Sequence, residues 1–400
     1  MNPSPIRLNH FEPTRQAALA RLEAFLPYAG AHYAKHRNTD YGSDERVGVS
    51  GLSPYLRYRV ITEAEVIRAV LDSHPLQAAE KFIQEVVWRT YWKGWLQMRP
   101  SVWSDYVAER DREFEQLAIN TDLKARYQQA IEGKTGIDGF DDWAKGLVET
   151  GYLHNHARMW FASIWIFTLR LPWTLGADFF LRHLLDGDPA SNTLSWRWVA
   201  GIQTQGKTYL ATQENIERFT QGRFAPKGLA QEAIAIESAP PPRPQALPSR
   251  VRPIDALHQP SVWLAHAQDI YIIDQVRGHP NCRGVIWYEP SQVGQAEQVR
   301  EFSKAVMDDQ RGPDEPVMDA LDDDQVTDRV HSMGGQQLVV CEPPVGTSAW
   351  AMKDLANLGA LPVFQCRRAY DDALWPAATK GFFPFKKQVL NERSLRKAIA

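Results

Sequence analysis

The sequence predicts an all-helical domain followed by a smaller α/β domain, and three observations support this order. Apolar residues recur at helical spacing through residues 1–237, prolines crowd residues 238–253, and short β-branched and aromatic runs alternate with helical patterns through residues 254–400. Since proline cannot continue a helix, we expect the middle segment to be an extended linker between the two domains.

The first domain shows several helices with recognisable boundaries. Helical periodicity covers residues 15–38, and Thr62 and Glu65 have the spacing of a capping box at the start of the next helix. A long helix with an apolar stripe, AAEKFIQEVVWRTYWKGWLQ, is expected to end near Pro100. Two further helices are expected on either side of the turn at residues 150–151.

Short apolar runs in the second domain predict a mainly parallel sheet, because helical patterns separate several of them. The predicted strands are SVWLAH, IYIID, GVIWYE, QQLVVCE and LPVFQC, and the predicted helices include SQVGQAEQVREFSKAVMDD and TSAWAMKDLANLG. The acidic residues 308–328 are expected to form a solvated surface loop.

Composition excludes several classes of protein. The chain has 400 residues and a formal net charge of −3, and in residues 1–235 the 27 Lys and Arg balance 27 Asp and Glu. Any nucleic-acid contact must therefore come from a local patch. Three cysteines cannot supply a four-cysteine iron–sulfur cluster or zinc site. No apolar run is long enough to cross a bilayer or act as a signal peptide, so we expect a cytoplasmic protein without membrane contact. We also expect it to be a monomer.

Ser50 and Gly51 form the first candidate binding segment, in VGVSGLSPYL. Ser53 is expected to cap a helix that starts with Pro54, and the preceding hydroxyl and open backbone N–H suit an anion. Plain helix capping is the alternative explanation of the same residues, and the spacing alone favours it.

A second candidate is the helix face that carries Glu85, Trp88 and Arg89. A carboxylate, an indole and a guanidinium on an otherwise apolar face are costly to bury without partners. The alternative is a salt-bridged helix face whose indole belongs to the core.

The segment YLHNHARMW repeats this spacing with Asn155, Arg158 and Met159. In LLDGDPASNTLSWRW, Asp188 is expected to cap a helix that starts at proline, and Asp186 is expected to pair with Arg158 inside the protein. These sets are weak separately, and it is their joint occurrence in this order that favours a functional role over a purely structural one.

Together these segments resemble the FAD-binding helical domain of the photolyase/cryptochrome family, in a short form without the N-terminal antenna domain. The matching pieces are Tyr33 with Arg37, then SGLSPYL, EVVWR, GKTGIDGFD, GYLHNHARM and LLDGDPASNTLSWRW. They cover residues 30–220 in the family's order and with nearly its spacing.

The resemblance implies a role for each matching position. The FAD-binding set consists of Tyr33, Ser50, Gly51, Leu52, Ser53, Phe82, Arg89, Asn155, Arg158, Asp186, Asp188 and Asn192. Within it, Asp188 would hydrogen-bond the isoalloxazine edge and Asn192 would face flavin N5. The catalytic pocket for a flipped pyrimidine dimer would use Glu85, Trp88, Met159, Asn192 and Trp198.

The resemblance implies a light-driven reaction on UV-damaged DNA. Reduced FAD, excited by blue light, would pass an electron to a cyclobutane pyrimidine dimer flipped out of the duplex. In the (6-4) photolyases, histidines replace Asn155 and Met159 and one of them handles protons. Since asparagine and methionine cannot act as general acids, the cyclobutane dimer is the expected lesion.

The chain departs from the family pattern in its second domain and in its electron-transfer tryptophans. The C-terminal domain resembles a displaced, reduced form of the Rossmann-like antenna domain, and we assign no antenna chromophore. Trp196 and Trp173 match the inner two members of the family's tryptophan triad, while the outer position falls on Asn120. The possible substitutes are Trp165, Trp160, Trp143 and Tyr127.

Two further substitutions are mild. Phe82 replaces a tryptophan near the lesion pocket, and Val49 replaces a threonine near the phosphates.

Two other functions fit the same residues. A cryptochrome-like blue-light sensor without repair activity would account for the altered electron chain and second domain. A flavin-bound or purely structural descendant without photochemistry is the third interpretation.

Overall fold

The structure is a computed structural model that describes residues 10–42, 48–247, 257–268, 270–290, 292, 294–350, 352 and 361–399. Helices occupy the first part of the chain and a parallel sheet with helices follows, which confirms the predicted order. Residues 236–247 form neither helix nor strand, and the rest of the predicted linker lies outside the described residues. The division at residues 238–253 therefore stays a prediction.

Twelve helices precede the first strand in the described part of the chain. Their bounds are α1 Arg15–Phe25, α2 Ala31–His36, α3 Ser53–Arg57, α4 Glu63–Ser73, α5 Leu76–Gln97, α6 Pro100–Ile119, α7 Thr121–Ile131, α8 Phe140–Thr150, α9 Asn155–Ser163, α10 Trp173–His183, α11 Pro189–Val199 and α12 Gln213–Phe219. A π-helical turn, Ile164–Thr168, extends α9.

Local capping explains where several of these helices begin and end. The predicted capping box forms at α4, where the Thr62 hydroxyl accepts from Glu65 N and the Glu65 carboxylate accepts from Thr62 N. Asp188 caps α11 ahead of the proline as predicted, accepting from Ser191 N at 2.9 Å. Gly151, at φ +66°, ends α8 in the left-handed conformation.

The predicted cap of α3 is wrong by one residue. Leu52 is the N-cap of α3, without a side-chain hydrogen bond, and Ser53 is the first helical residue. Burial would raise the pKa of Asp186, but Arg158 and, to a smaller extent, Ser53 outweigh it and lower that pKa.

The remaining chain forms a five-stranded parallel sheet in the order β3-β2-β1-β4-β5. The strands are β1 Ser261–His266, β2 Cys282–Tyr288, β3 Val317–Met318, β4 Gln337–Cys341 and β5 Val363–Cys366. At the centre, Trp263 of β1 is paired with Val285 of β2 and with Val339 of β4. This strand order is that of a Rossmann-like sheet, as predicted.

Six helices accompany the sheet in the described part of the chain: α13 Ile272–Arg277, α14 Glu297–Gln310, α15 Asp323–Ser332, α16 Ala369–Leu374, α17 Phe382–Val389 and α18 Glu392–Ile399. A 3-10 turn, Trp375–Ala377, follows α16 directly and precedes α17. No helix of the described residues is long and apolar enough to cross a membrane.

Two predictions about this part are wrong. The segment IYIID is not a strand, because α13 begins inside it, and its buried Ile270, Ile273 and Val276 recur every three residues. The acidic stretch predicted as a loop contains β3 and the start of α15, which Asp322 caps. A two-residue strand is too short to give a sequence signal.

Most of the predicted helix TSAWAMKDLANLG lies outside the described residues.

The C-terminal helices pack on α4 and α5, so one apolar cluster joins the two parts of the chain. Gly94 of α5 lies so close to Trp375 that an added Cβ would be 2.8 Å from the indole. The Tyr91 hydroxyl donates to Lys380 O at 2.9 Å, and the Thr90 and Tyr370 hydroxyls are 3.0 Å apart. Helix α5 is therefore covered on its outer side by the second half.

A buried ion cluster reinforces this contact. Asp371 lies 3.0 Å from Arg59 Nη2 and binds Arg368 through two hydrogen bonds of 2.9 Å. Arg368 also reaches Glu63 at 3.0 Å. Because these side chains are nearly inaccessible to solvent, their charges depend on one another for stabilisation.

Replacing Asp371 by alanine should therefore destabilise the fold. Removing one member of a buried ion cluster costs about 3–5 kcal/mol of unfolding free energy, which urea denaturation followed by circular dichroism can measure. Glu392→Ala is the control, because Glu392 pairs with Arg396 at 2.9 Å on the exposed surface. That change should cost less than about 1 kcal/mol. Equal losses in the two variants would contradict the buried cluster.

Candidate active site

A cavity of about 680 Å³ opens between α2, α3, α5, α9, the turn before α11, and α11 itself. This volume lies within the usual range for cofactor and substrate sites. Phe383 of α17 also lines it, so both halves of the chain contribute to its wall.

All predicted site residues except Trp173 line this one cavity. The set comprises Tyr33, Ser50, Gly51, Leu52, Ser53, Phe82, Glu85, Trp88, Arg89, Asn155, Arg158, Met159, Asp186, Asp188, Asn192, Trp196 and Trp198. The structure thus brings together residues from five separate segments of the sequence, while the individual roles stay predictions.

Residues 50–53 form one wall with an irregular backbone. Gly51 has φ +62°, which favours glycine, and the Ser50 hydroxyl accepts from Leu52 N at 3.3 Å. Helix α3 has only five residues, so its dipole adds little to anion binding. The positive charge at this wall comes from Arg89, whose Nη2 donates to Ser53 O at 3.4 Å.

The turn before α11 holds two buried carboxylates in separate ion pairs. Asp186 pairs with Arg158 at 2.9 Å, as the sequence predicts. Asp188 pairs with Lys93 of α5 at 3.3 Å, and both side chains are almost fully buried. Asn192, one turn further on, donates its amide to Ala177 O at 2.9 Å.

The charges around Asp188 fix its protonation state. Burial alone would raise the pKa of Asp188, but Lys93, Arg89 and Arg57 hold that pKa far below its ordinary value. Burial lowers the pKa of Lys93 to about 8, although Asp188 opposes this shift. Near neutral pH the pair is therefore a carboxylate and an ammonium in positive surroundings.

Lys93 and Arg57 lie at this site but are not among the residues predicted from the sequence. Lys93 continues the stripe of Glu85 and Arg89 at intervals of four residues, so its face on α5 was readable from the sequence. Arg57 donates to Gly187 O at 2.7 Å and to Gln268 of the second half. No sequence pattern indicates a contact that spans so much of the chain.

The other end of the cavity carries the residues expected to receive a base. Glu85 pairs with Arg37, and the net effect of burial and of this pair is a raised pKa for Glu85. Trp198 stacks near Tyr209, with ring centres 5.8 Å apart. Trp88 stacks on Phe382, with ring centres 3.3 Å apart and an angle of 9° between the ring planes. Part of the Trp88 ring is therefore covered by the second half of the chain.

The aromatic neighbours of Trp196 differ from the predicted electron chain. Among the described residues, Trp196 contacts the rings of Phe161, Trp165 and Phe180, whereas Trp173 contacts Tyr106. A Cβ on Gly176 would overlap the Trp196 ring and lie 2.9 Å from Trp165 Nε1, so glycine lets both indoles pack there.

Trp165 in turn has a second aromatic neighbour, Tyr127, and both side chains are buried. Its ring centre lies 6.2 Å from that of Trp196 and 6.0 Å from that of Tyr127. Trp143 and Trp160 stack on each other at 5.4 Å, and Asn120 caps α7 by accepting from Leu123 N. Of the substitutes named from the sequence, Trp165 is the one in contact with Trp196.

Comparison with known proteins finds a family model that matches part of the helical region. Residues 82–227 match the family model described as the FAD binding domain of DNA photolyase. Over this stretch the chain is similar to the FAD-binding domain of DNA photolyases. It is 34% identical over 169 residues to a deoxyribodipyrimidine photo-lyase of Streptomyces griseus, covering 41% of this chain and 35% of that protein.

Other relatives show the same partial coverage. A deoxyribodipyrimidine photo-lyase of Thermus thermophilus is 34% identical over 200 residues, which is 50% of this chain and 45% of that protein. A bacterial class III photolyase structure from Agrobacterium tumefaciens is 27% identical with a TM-score of 0.43, covering 52% and 42% of the two chains. The chain thus spans less than half the length of these relatives.

The cavity's polar atoms fit a bound dinucleotide such as FAD. Among the described residues, Arg89 Nε, Asp186 Oδ1 and Ser191 Oγ are buried at this cavity without a protein hydrogen-bond partner. Buried polar atoms are costly without partners, and a polar ligand in the cavity would supply them.

Replacing Lys93 by methionine should change how stability depends on pH. Because the pKa of Lys93 is about 8 in the folded chain and about 10.4 when unfolded, the unfolded chain holds more protons in this window. Lys93 therefore makes the wild type more stable as the pH rises from 8 toward 10.4, by up to about 1.4 kcal/mol per pH unit.

Urea denaturation at a series of pH values tests this expectation. The unfolding free energy of the wild type minus that of Lys93→Met should increase as the pH rises. Lys145→Met, at an exposed position of α8, is the control for loss of a surface lysine. A difference that stays constant across the window would contradict a buried Lys93 ammonium.

Proposed function

We propose that the chain binds FAD in this cavity and carries out light-driven repair of cyclobutane pyrimidine dimers in UV-damaged DNA. The observation that carries the proposal is that Glu85, Met159 and Trp198 line the same cavity as the residues proposed to hold FAD. Bound in its reduced form, FAD would supply an electron when excited by blue light.

The FAD-binding role rests on the charges and shape of the inner cavity. Arg89 and the open backbone at Gly51 suit the phosphates, since guanidinium and backbone N–H groups bind such oxygens well. The ionised Asp188 accepts hydrogen bonds and so suits the polar edge of a flavin ring. The positive surroundings of Asp188 favour an anionic form of the bound group.

The proposed dimer pocket uses the outer part of the cavity. Glu85 offers a carboxyl group whose pKa is raised by burial, against the opposing charge of Arg37. Such a group discriminates strongly between substrates, because a base that cannot pair with it leaves a buried polar group unpaired. Asn155 and Met159 lie at the same cavity and cannot act as general acids, which favours the cyclobutane dimer over the (6-4) lesion.

Glu85→Ala should abolish most dimer repair and leave FAD binding intact. Losing a hydrogen bond to an ionisable group costs about 1.5–3 kcal/mol, or roughly a 10- to 150-fold lower repair rate. The measurement is the loss of dimers from an illuminated oligonucleotide, with FAD content read from the absorption spectrum. Glu149→Ala, at an exposed position of α8, is the control. Unchanged repair in Glu85→Ala would contradict the assigned role.

Electron supply from the surface is expected to pass through Trp165. Because Trp165 and not Trp173 contacts Trp196, Trp165→Phe should slow light-driven reduction of oxidised FAD more than Trp173→Phe does. Absorption spectra recorded during illumination with an external reductant measure the rate. A larger effect from Trp173→Phe would contradict this expectation. Electrons would then reach Trp196 through Trp173, as the resemblance implies, and not through the ring that contacts it.

A blue-light sensor without repair is the second candidate function. It is favoured by the stacking of Phe382 on Trp88, because a residue expected to hold a base is partly covered by the second half. The repair assay separates the two functions. A wild type that binds FAD, leaves dimers intact and changes hydrodynamic size on illumination would support the sensor.

A further inference from the structure

Phe383 is a large apolar side chain exposed at the mouth of the cavity. It is 75% exposed, whereas its neighbours Phe382 and Phe385 on α17 are buried. We propose that Phe383 and the lysines beside it form a DNA-contact surface, in which the Phe383 ring stacks on a base next to the one drawn into the cavity. This inference rests on the proposed function, because it takes damaged DNA as the partner.

Helix α17 is held rigidly, so Phe383 has a fixed position relative to the cavity. Phe382 stacks on Trp88, and the Phe385 ring centre lies 5.3 Å from that of Tyr91. Lys386 Nζ lies 2.7 Å from Glu80 Oε1 and donates to Gln84 Oε1 at 2.8 Å. These contacts fasten α17 to α5, the helix that carries Glu85.

The exposure of Phe383 has a cost that DNA binding would offset. A phenylalanine side chain left in water forgoes the free energy that burial of its apolar surface would contribute. Stacking of a base on an aromatic ring contributes about 1–3 kcal/mol and works with any base. A flipped nucleotide leaves its neighbours unstacked, which gives an exposed ring a partner at the cavity mouth.

The charges around Phe383 complement a DNA backbone. Lys387 lies four residues after Phe383 on α17 and shares its face, while Lys380 lies just before the helix, and both are exposed. Because the positive and negative charges of residues 1–235 balance, a local patch has to supply the phosphate contacts. This surface supplies such charges beside the cavity.

Fluorescence anisotropy with labelled duplexes tests the proposal on the full-length protein. One duplex carries a single cyclobutane dimer and the other has the same sequence undamaged. Phe383→Ala should weaken binding of the dimer duplex by roughly 5- to 150-fold, and Phe383→Trp should retain it. Ile119→Ala is the matched control, because Ile119 on α6 is also 75% exposed.

The lysines are tested through the salt dependence of the same binding. The double variant Lys380→Ala, Lys387→Ala should reduce the slope of log affinity against log salt concentration by up to about 2, since each phosphate contact contributes about 0.9. A slope equal to that of the wild type would overturn the assignment of these lysines.

Failure of this inference is distinguishable from failure of the proposed function. If Phe383→Ala and Ile119→Ala bind the dimer duplex as the wild type does, the DNA-contact surface is overturned while repair can still be measured. If Phe383→Ala weakens binding but illumination leaves dimers intact, the surface stands and the repair function is overturned. A wild type that binds neither duplex would overturn both.

Discussion

The buried ion pair between Lys93 and Asp188 fixes the geometry on which the whole site depends. It joins the last turns of α5 to the residue just ahead of α11, with Lys93 Nζ 3.3 Å from Asp188 Oδ2 and both side chains almost fully buried. A buried charge without its partner is strongly destabilising, so the two helices cannot slide past each other freely. The residues of α5 that face the cavity therefore keep one register against those of α11.

This register explains why separate segments meet in one site. Helix α5 brings Glu85, Trp88 and Arg89, and α11 brings Asn192 and Trp198, to facing walls of the cavity. Between them, the Arg158–Asp186 pair holds α9 against the same turn. The inner part of the cavity is thus polar and charged, which suits a dinucleotide, and its mouth is aromatic, which suits stacked bases.

The second half of the chain is part of this site and not a separate attachment. It binds α4 and the segment before it through the Arg59–Asp371–Arg368–Glu63 cluster. It covers the outer side of α5 through the close contact of Trp375 with Gly94. As a result, Phe382 covers part of Trp88 and Phe383 reaches the cavity mouth. The Rossmann-like sheet thereby supports the helices that complete the cavity.

The sequence predicted those features that depend on neighbouring residues. Thr62 with Glu65 and Asp188 ahead of proline marked helix starts because capping acts over three residues. The charged stripe on α5 was equally visible through its helical spacing, although Lys93 was not included in the predicted site.

Features that depend on how distant segments dock could not be predicted in this way. Phe382 and Phe383 reach the site only because α17 packs on α5, about 300 residues earlier in the chain. Trp165 instead of Trp173 contacts Trp196 because glycine at position 176 leaves room for both indoles. The segment IYIID was misassigned because a run of five residues does not distinguish a buried strand from a buried helix.

The most direct test of this account is the absorption spectrum of the purified chain after incubation with FAD and removal of unbound FAD. The account predicts a yellow protein that retains a single FAD per chain in the cavity beside Asp188. A folded protein that stays colourless after this treatment would contradict it.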